Sequence, residues 1–319
     1  MNRNLRTIIF TIVSILVVIV PIWGAGISIS PGASLVYVKK FDSKVPGKPL
    51  RIININSVPM TYDISVTVEK HRLKGYLPLP DTMWVRPMKN HFKVEPWDSF
   101  DVPIQISIPN DPANYNRAWV CDLAVTQSKW VDTTKVKGKA GTVLQLGARA
   151  AWLIETPTES KLPDANEDPL TVAPGIWAIQ YGDSTSNKGV LPIKIRNDDN
   201  VKHEYIFESY IPNFGDTIIG RKLDIFPLTT EETGWILDPS WIRPKPKRFL
   251  WLFKRKPAIT LKPGEEGEYP ILIDFPPSNE LGERRYEGVI LIRPDGQGTG
   301  SRFVRYVFRP GLKYVPPKK

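Results

Sequence analysis

The chain has 319 residues, long enough for two ordinary domains that each bury a core of their own. Its 31 prolines and the lack of sustained helical periodicity after residue 26 exclude a helical bundle, and the single cysteine, Cys121, excludes an intrachain disulfide framework. A formal charge of +10 on an exported chain points to acidic proteins, anionic lipid or glycan before nucleic acid.

In chain order, Arg3 and Arg6 precede an uncharged run from Thr7 to Ile22, and Gly24-Ala25-Gly26 supplies small residues for cleavage. Residues 1–26 read as a hydrophobic helix acting as a secretory signal, with retention as a membrane anchor as the other reading. Ile27 to Pro31, Leu50 to Asn56 and Tyr62 to Val68 then alternate apolar with polar residues, the pattern of half-buried strands, with turn signals at Pro31-Gly32 and Asn56. Prolines 103 and 109 bracket a further short strand, where a missing N–H is tolerable at a sheet edge. Cys121 shares strand parity with Trp119 and Leu123, so it reads as a buried, inert thiol. A basic loop at 135–141 leads into a last strand, Val143 to Ile154.

Residues 158–169 are polar and acidic, as expected of a linker, and after them the pattern starts again. Leu170 to Gly175, Leu191 to Asn197 and Tyr205 to Tyr210 repeat the opening strands. Trp84-Val85-Arg86-Pro87 returns as Trp241-Ile242-Arg243-Pro244, and Pro96, Pro103 and Pro109 return as Pro263, Pro270 and Pro276 at one constant offset. Trp119, Leu123 and Val125 fall on Tyr286, Ile290 and Ile292 at that offset. The expected architecture is therefore all-β: two tandem immunoglobulin-like β-sandwich domains related by internal duplication, at 27–157 and 170–319, preceded by the hydrophobic helix. A tryptophan next to an arginine in both copies suggests a guanidinium stacked on an indole as part of the shared scaffold.

The copies differ most after the second Trp-x-Arg-Pro phrase. An insertion at 245–258 carries Phe249, Leu250, Trp251, Leu252 and Phe253 in a row, flanked by Arg248, Lys254, Arg255 and Lys256. Such an apolar run in a connection between strands marks a contact surface, unless it pairs as an extra hairpin against its own domain. Of the ten tryptophans, Trp119, Trp152 and Trp177 lie on core strands, whereas Trp97, Trp235 and Trp251 stand outside the shared pattern and are candidates for contact with a partner.

Sequence motifs for chemistry are missing. His71, His91 and His203 have no zinc spacing, and no nucleophile elbow, phosphate loop or dinucleotide fingerprint occurs. Asp198-Asp199 and Glu265-Glu266 sit in predicted turns as solvated pairs, and no metal or cofactor is expected.

Asn56 after the second strand, Val94-Glu95-Pro96 before another, and Val143-Leu144-Gln145-Leu146 together resemble the immunoglobulin-like sandwiches of the PapD-like superfamily, which includes periplasmic chaperones of pilus assembly. The resemblance covers most of 27–157 and implies fold more than activity. It also implies that Leu144 and Leu146 lie on a strand offered to a partner. The family's basic cleft pair has no counterpart in Ile27 to Val36; Arg149 and Lys139 are substitutes by charge alone.

The leading reading is a noncatalytic exported protein of the periplasm or cell surface that binds or scaffolds other envelope proteins through sheet edges and the 249–253 segment. A chaperone for pilus or surface-fibre subunits, and a module that binds membrane surface or glycan through the same basic-aromatic segment, are the alternatives.

Overall fold

The computed structural model describes residues 26–68, 75–128, 147–165, 168–181, 188–210, 217–218, 221–222, 235–236, 238, 240–249, 253–276, 286–296 and 300–310. The expected N-terminal helix lies outside these residues, as do Leu144, Leu146, Leu250, Trp251 and Leu252. Among the described residues no helix is long and apolar enough to cross a membrane.

The first half contains β1 (Ile27–Ser30), β2 (Ala33–Tyr37), β3 (Val45–Pro46), β4 (Leu50–Asn54), β5 (Met60–Thr67) and β6 (Leu77–Pro78). It continues through β7 (Val85–Pro87), β8 (His91–Val94), β9 (Ser99–Val102), β10 (Ile104–Ile106), β11 (Ala118–Gln127) and β12 (Gly147–Glu155). The second half begins with β13 (Leu170–Ala173), β14 (Ile176–Tyr181), β15 (Lys188–Asn197), β16 (His203–Tyr210), β17 (Thr217–Ile218), β18 (Arg221–Lys222) and β19 (Trp235–Ile236). It ends with β20 (Ile242–Pro244), β21 (Lys247–Phe249), β22 (Phe253–Arg255), β23 (Ala258–Leu261), β24 (Glu266–Asp274), β25 (Tyr286–Pro294) and β26 (Arg302–Pro310).

The fold is all-β, and the strand order of one sheet in the first half is repeated in the second. The order β2-β12-β11-β5-β8 returns as β14-β26-β25-β16-β23, with β2 and β14 each parallel to the last strand of its half. On the other side of the first core lie β1-β4-β9 and β3-β10-β7; in the second half β13-β15-β24-β20 takes that place. Registers repeat too: Ile27 faces Asn54 as Leu170 faces Asn197, and Trp119 lies beside Leu77 as Tyr286 lies beside Trp235. Short strands of period two make this arrangement, because each exposes every second residue to a different layer. In β4, Leu50, Ile52 and Asn54 point inward while Arg51 is exposed.

One residue in each half anchors the end of the sandwich. Asn54 is fully buried; its amide donates to the carbonyls of Val58, Val94 and Glu95, and its oxygen accepts from the Asn56 backbone N–H and the Tyr62 hydroxyl. Asn197 repeats the set with Val201, Leu261, Asp199 and Tyr205. The structural counterpart of Asn197 is thus Asn54 and not Asn56, which instead bonds Asn54 and Gly26. A side-chain amide here satisfies backbone groups that no strand can reach.

The two halves meet through the second faces of β11, β12, β25 and β26. Trp119, Cys121, Leu123 and Val125 point into the first core, so Val120 points the other way. There it joins Tyr76, Ala151, Leu153, Val289, Leu291 and Phe303 in a third apolar cluster that draws on both halves. This explains why β11 and β25 read as nearly continuous apolar runs: they are buried on both faces. At Gly75, with φ of 85°, a Cβ would stand 2.3 Å from the Phe303 ring, so only glycine allows the close approach.

The segment expected to be a free linker is held down. Arg117 donates to the Asp168 carboxylate at 2.9 Å and to the Asp164 carbonyl, and Arg196 donates to the Pro163 carbonyl. Replacing Asn54 or Asn197 with Leu strands several buried carbonyls, each worth about 1–3 kcal/mol. Denaturant unfolding of either variant is expected to show a loss of at least that size, and an unchanged midpoint would refute the anchoring role.

Candidate interaction surfaces

The inserted segment forms a two-stranded hairpin. Phe249 faces Phe253, Arg248 faces Lys254 and Lys247 faces Arg255, with Leu250, Trp251 and Leu252 between the strands and outside the described residues. Among the described residues β21 and β22 pair with each other and with no strand of either main sheet. Lys256, which follows, is exposed. The insertion therefore adds a separate ribbon at the place where the first half has only the short turn between β7 and β8.

The last strand of the first half is less available than its sequence suggests. Over Ala151–Glu155, β12 is paired on one side with β11 and on the other with β2, and its residues from Ala150 onward are buried. Only Gly147–Ala150 lacks a β2 partner, and Leu144 and Leu146 precede it outside the described residues. A parallel strand at the start of the domain closes the edge that alternation alone leaves open.

Two expectations are corrected by packing. Arg86 does not stack on Trp84; its Nε donates to the Met83 carbonyl at 3.2 Å, while Trp84 packs against Trp119 with ring centroids 5.3 Å apart. Trp241 packs in the same way against Tyr286, at 5.5 Å, so the shared phrase serves the core. Asp198 is not solvated: its side chain is 4% exposed, ion-paired with Arg196, and accepts the Thr171 hydroxyl. His203 is partly buried at the start of β16, with Nε2 2.8 Å from Asp199. Among the described residues no three His, Cys, Asp or Glu side chains gather as metal ligands. Burial pushes the Cys121 thiol up to about 12, with the Asp122 carboxylate adding to it.

Sequence reasoning missed the charges between the halves. Arg305, on β26, donates from Nε and Nη2 to Glu155 at 2.6–3.1 Å and from Nη1 to Glu287 at 3.1 Å. The Tyr76 hydroxyl donates to Glu155 at 2.7 Å. Arg305 and Glu155 are 1% and 2% exposed. Burial works against the guanidinium's charge, but the Glu155 carboxylate and its neighbours outweigh it and raise Arg305 well above its ordinary value. Burial, then Glu155, raises the Tyr76 phenol. A second site lies beside it: Arg302, 3.4 Å from Asp168, is pushed down to about 10 by burial despite the carboxylate's pull. The available signal was parity. Glu155 shares a strand face with Ala151 and Leu153, Glu287 with Val289 and Leu291, and Arg305 with Phe303, all apolar residues of the third cluster.

Removing one partner of a buried ion pair leaves the other desolvated and uncompensated, at a cost of about 3–5 kcal/mol. Arg305→Met should lower unfolding free energy by that amount, and a change near zero would show the cluster to be dispensable. Cys121 provides an independent readout: in the folded protein at pH 8 it should resist alkylation, and Arg305→Met should speed its labelling in step with the lost stability. Rapid native-state labelling would contradict the burial of the thiol.

No family model matches the sequence, and neither does any curated protein. Among solved structures the chain is similar to a protein of unknown function from Porphyromonas gingivalis W83, with 11% identity over 89% of this chain and 99% of that one, at a TM-score of 0.32. It is similar to the E. coli chaperone DraB, with 11% identity over 88% and 96% of the two chains and a TM-score of 0.29. The class 5 fimbriae chaperone CfaA gives 10% identity over 89% and 100%, at 0.32. The likeness is thus to PapD-like and fimbrial-chaperone structures, at scores that carry no argument about what this chain does.

Proposed function

We propose that the chain is a noncatalytic exported protein of the cell envelope that recruits other proteins, built from two tandem immunoglobulin-like sandwiches at 27–157 and 170–319 joined by 158–169. The observation that supports this most directly is the Lys247–Arg255 hairpin, paired only with itself among the described residues. Its apex sequence, Phe249 to Phe253, is apolar throughout. A ribbon that adds no strand to either sheet contributes little to the shared scaffold, and such an apolar apex is suited to burial against a partner. Arg248, Lys254, Arg255 and Lys256 keep the ribbon soluble and steer an acidic partner toward it.

A second reading, chaperone for surface-fibre or pilus subunits, draws on the start of β12, where the pairing with β2 begins only at Ala151. A strand continuing there through Leu146 and Leu144 would offer backbone hydrogen bonds and alternate side chains to an incomplete sandwich.

Photocrosslinking amino acids at Trp251 and at Leu144, in the native envelope, separate the two. Recruitment through the hairpin predicts adducts at 251 that are lost in a Phe249/Phe253→Ser background. Adducts confined to 144, on a fibre subunit, would replace it with the chaperone reading, and no adduct at 251 would overturn it.

A further inference from the structure

Among the described residues four arginines hold a carboxylate on the same edge of the guanidinium, through Nε and Nη2 together. Arg51 holds Asp101 in this way, Arg196 holds Asp198, Arg293 holds Glu208 and Arg305 holds Glu155. Arg302 does not. Its Nη1 donates to the Ser301 carbonyl at 2.7 Å, whereas its Nε and Nη2 make no hydrogen bond within the chain. The Asp168 carboxylate stands 3.4 Å from Nη2, but Arg117 holds it more closely, at 2.9 Å. With the Arg302 side chain only 9% exposed, the edge that elsewhere takes a carboxylate is here a buried pair of donors.

The surroundings carry a positive excess. Arg117, Arg196 and Arg302 are 2%, 14% and 9% exposed, and two carboxylates are set among them, Asp168 at 16% and Asp198 at 4%. Glu266, 3.5 Å from Arg196, is 62% exposed, so solvent screens its charge. A buried cation that lacks both a closely paired carboxylate and its full set of hydrogen bonds is costly. The duplication locates where this cost was introduced. Ile292 faces Arg302 as Val125 faces Ala148, and Thr171 faces Arg196 as Ser28 faces Ile53. The first half therefore builds the same pairings with alanine and isoleucine where the second half has two arginines.

We propose that Arg302 is the centre of an oxyanion site between the second half and the connecting segment. A carboxylate or phosphate group is taken on its Nε–Nη2 edge, with Arg117 and Arg196 supplying positive charge around it. Two parallel N–H···O bonds from that edge match two oxygens of either group. Entry lies past Asp168, the most exposed of the five ionic groups. The bound anion offsets the excess charge and ties β26 to the segment that ends at Asp168, so occupancy stabilises the fold. The site is separate from the hairpin and needs no partner protein.

The test uses the full chain at pH 7, with sodium acetate or sodium phosphate titrated from micromolar to millimolar concentration and sodium chloride holding the ionic strength constant. A saturable rise in melting temperature is expected, about 4 °C once the oxyanion stands a hundredfold above its dissociation constant. Isothermal titration of the unaltered chain should return the same constant, and it depends on no variant folding. Arg302→Lys keeps the charge but not the two-donor edge, and Arg302→Gln removes both; each should weaken binding roughly tenfold or more. Arg51→Gln, at an exposed ion pair, should leave the response unchanged. Saturation by one oxyanion with the other inert supports the site and says which group it takes. A rise that never saturates, that chloride reproduces, or that both Arg302 variants retain in full overturns the proposal. So does the absence of both thermal shift and binding heat.

Discussion

Arg305 is 1% exposed, and the burial of its charge is compensated by two carboxylates and a phenol brought to it from different parts of the chain. Glu155 ends the last strand of the first half, Tyr76 comes from the same half, and Glu287 and Arg305 come from the second. Buried charges tolerate little displacement, because a shift of an ångström or two exposes each ion to the full cost of desolvation. Apolar contacts such as Phe303 on Tyr76, with ring centroids 5.0 Å apart, are less selective about angle. The ionic cluster therefore supplies register to a junction whose apolar residues supply most of the attraction. The Asp168 pairings with Arg117 and Arg302 extend that constraint to the connecting segment.

Internal duplication separates scaffold from function within one molecule. What both halves share proves to be packing: Asn54 and Asn197 under matched turns, and Trp84 and Trp241 against matched aromatic residues. What they do not share includes a hairpin present in one half, and Arg302 where the first half has Ala148.

Much of the architecture was legible from the sequence because period-two alternation and constant proline spacing are local consequences of strand geometry. The repeated strands, the core positions of Trp119 and Trp152 and the buried state of Cys121 all follow from parity along one strand. Asn54 was passed over for Asn56 because a sequence shows where a strand can turn but not which amide is turned inward. Asp198 read as solvated because Thr171, whose hydroxyl it accepts, becomes its neighbour only when β13 pairs with β15.

By itself, the sequence determined an all-β chain with a repeated pattern, an interruption at 245–258 and a charged, aromatic composition, since each of these depends on neighbours along the chain. Tertiary structure alone decided that β12 is flanked on both sides, that the second faces of four strands meet, and that Arg305 lies between Glu155 and Glu287. These arise from contacts between residues separated by as many as 229 positions. Such contacts depend on how sheets stack, and stacking leaves only a trace in sequence: an apolar strand with a single charge on its buried face.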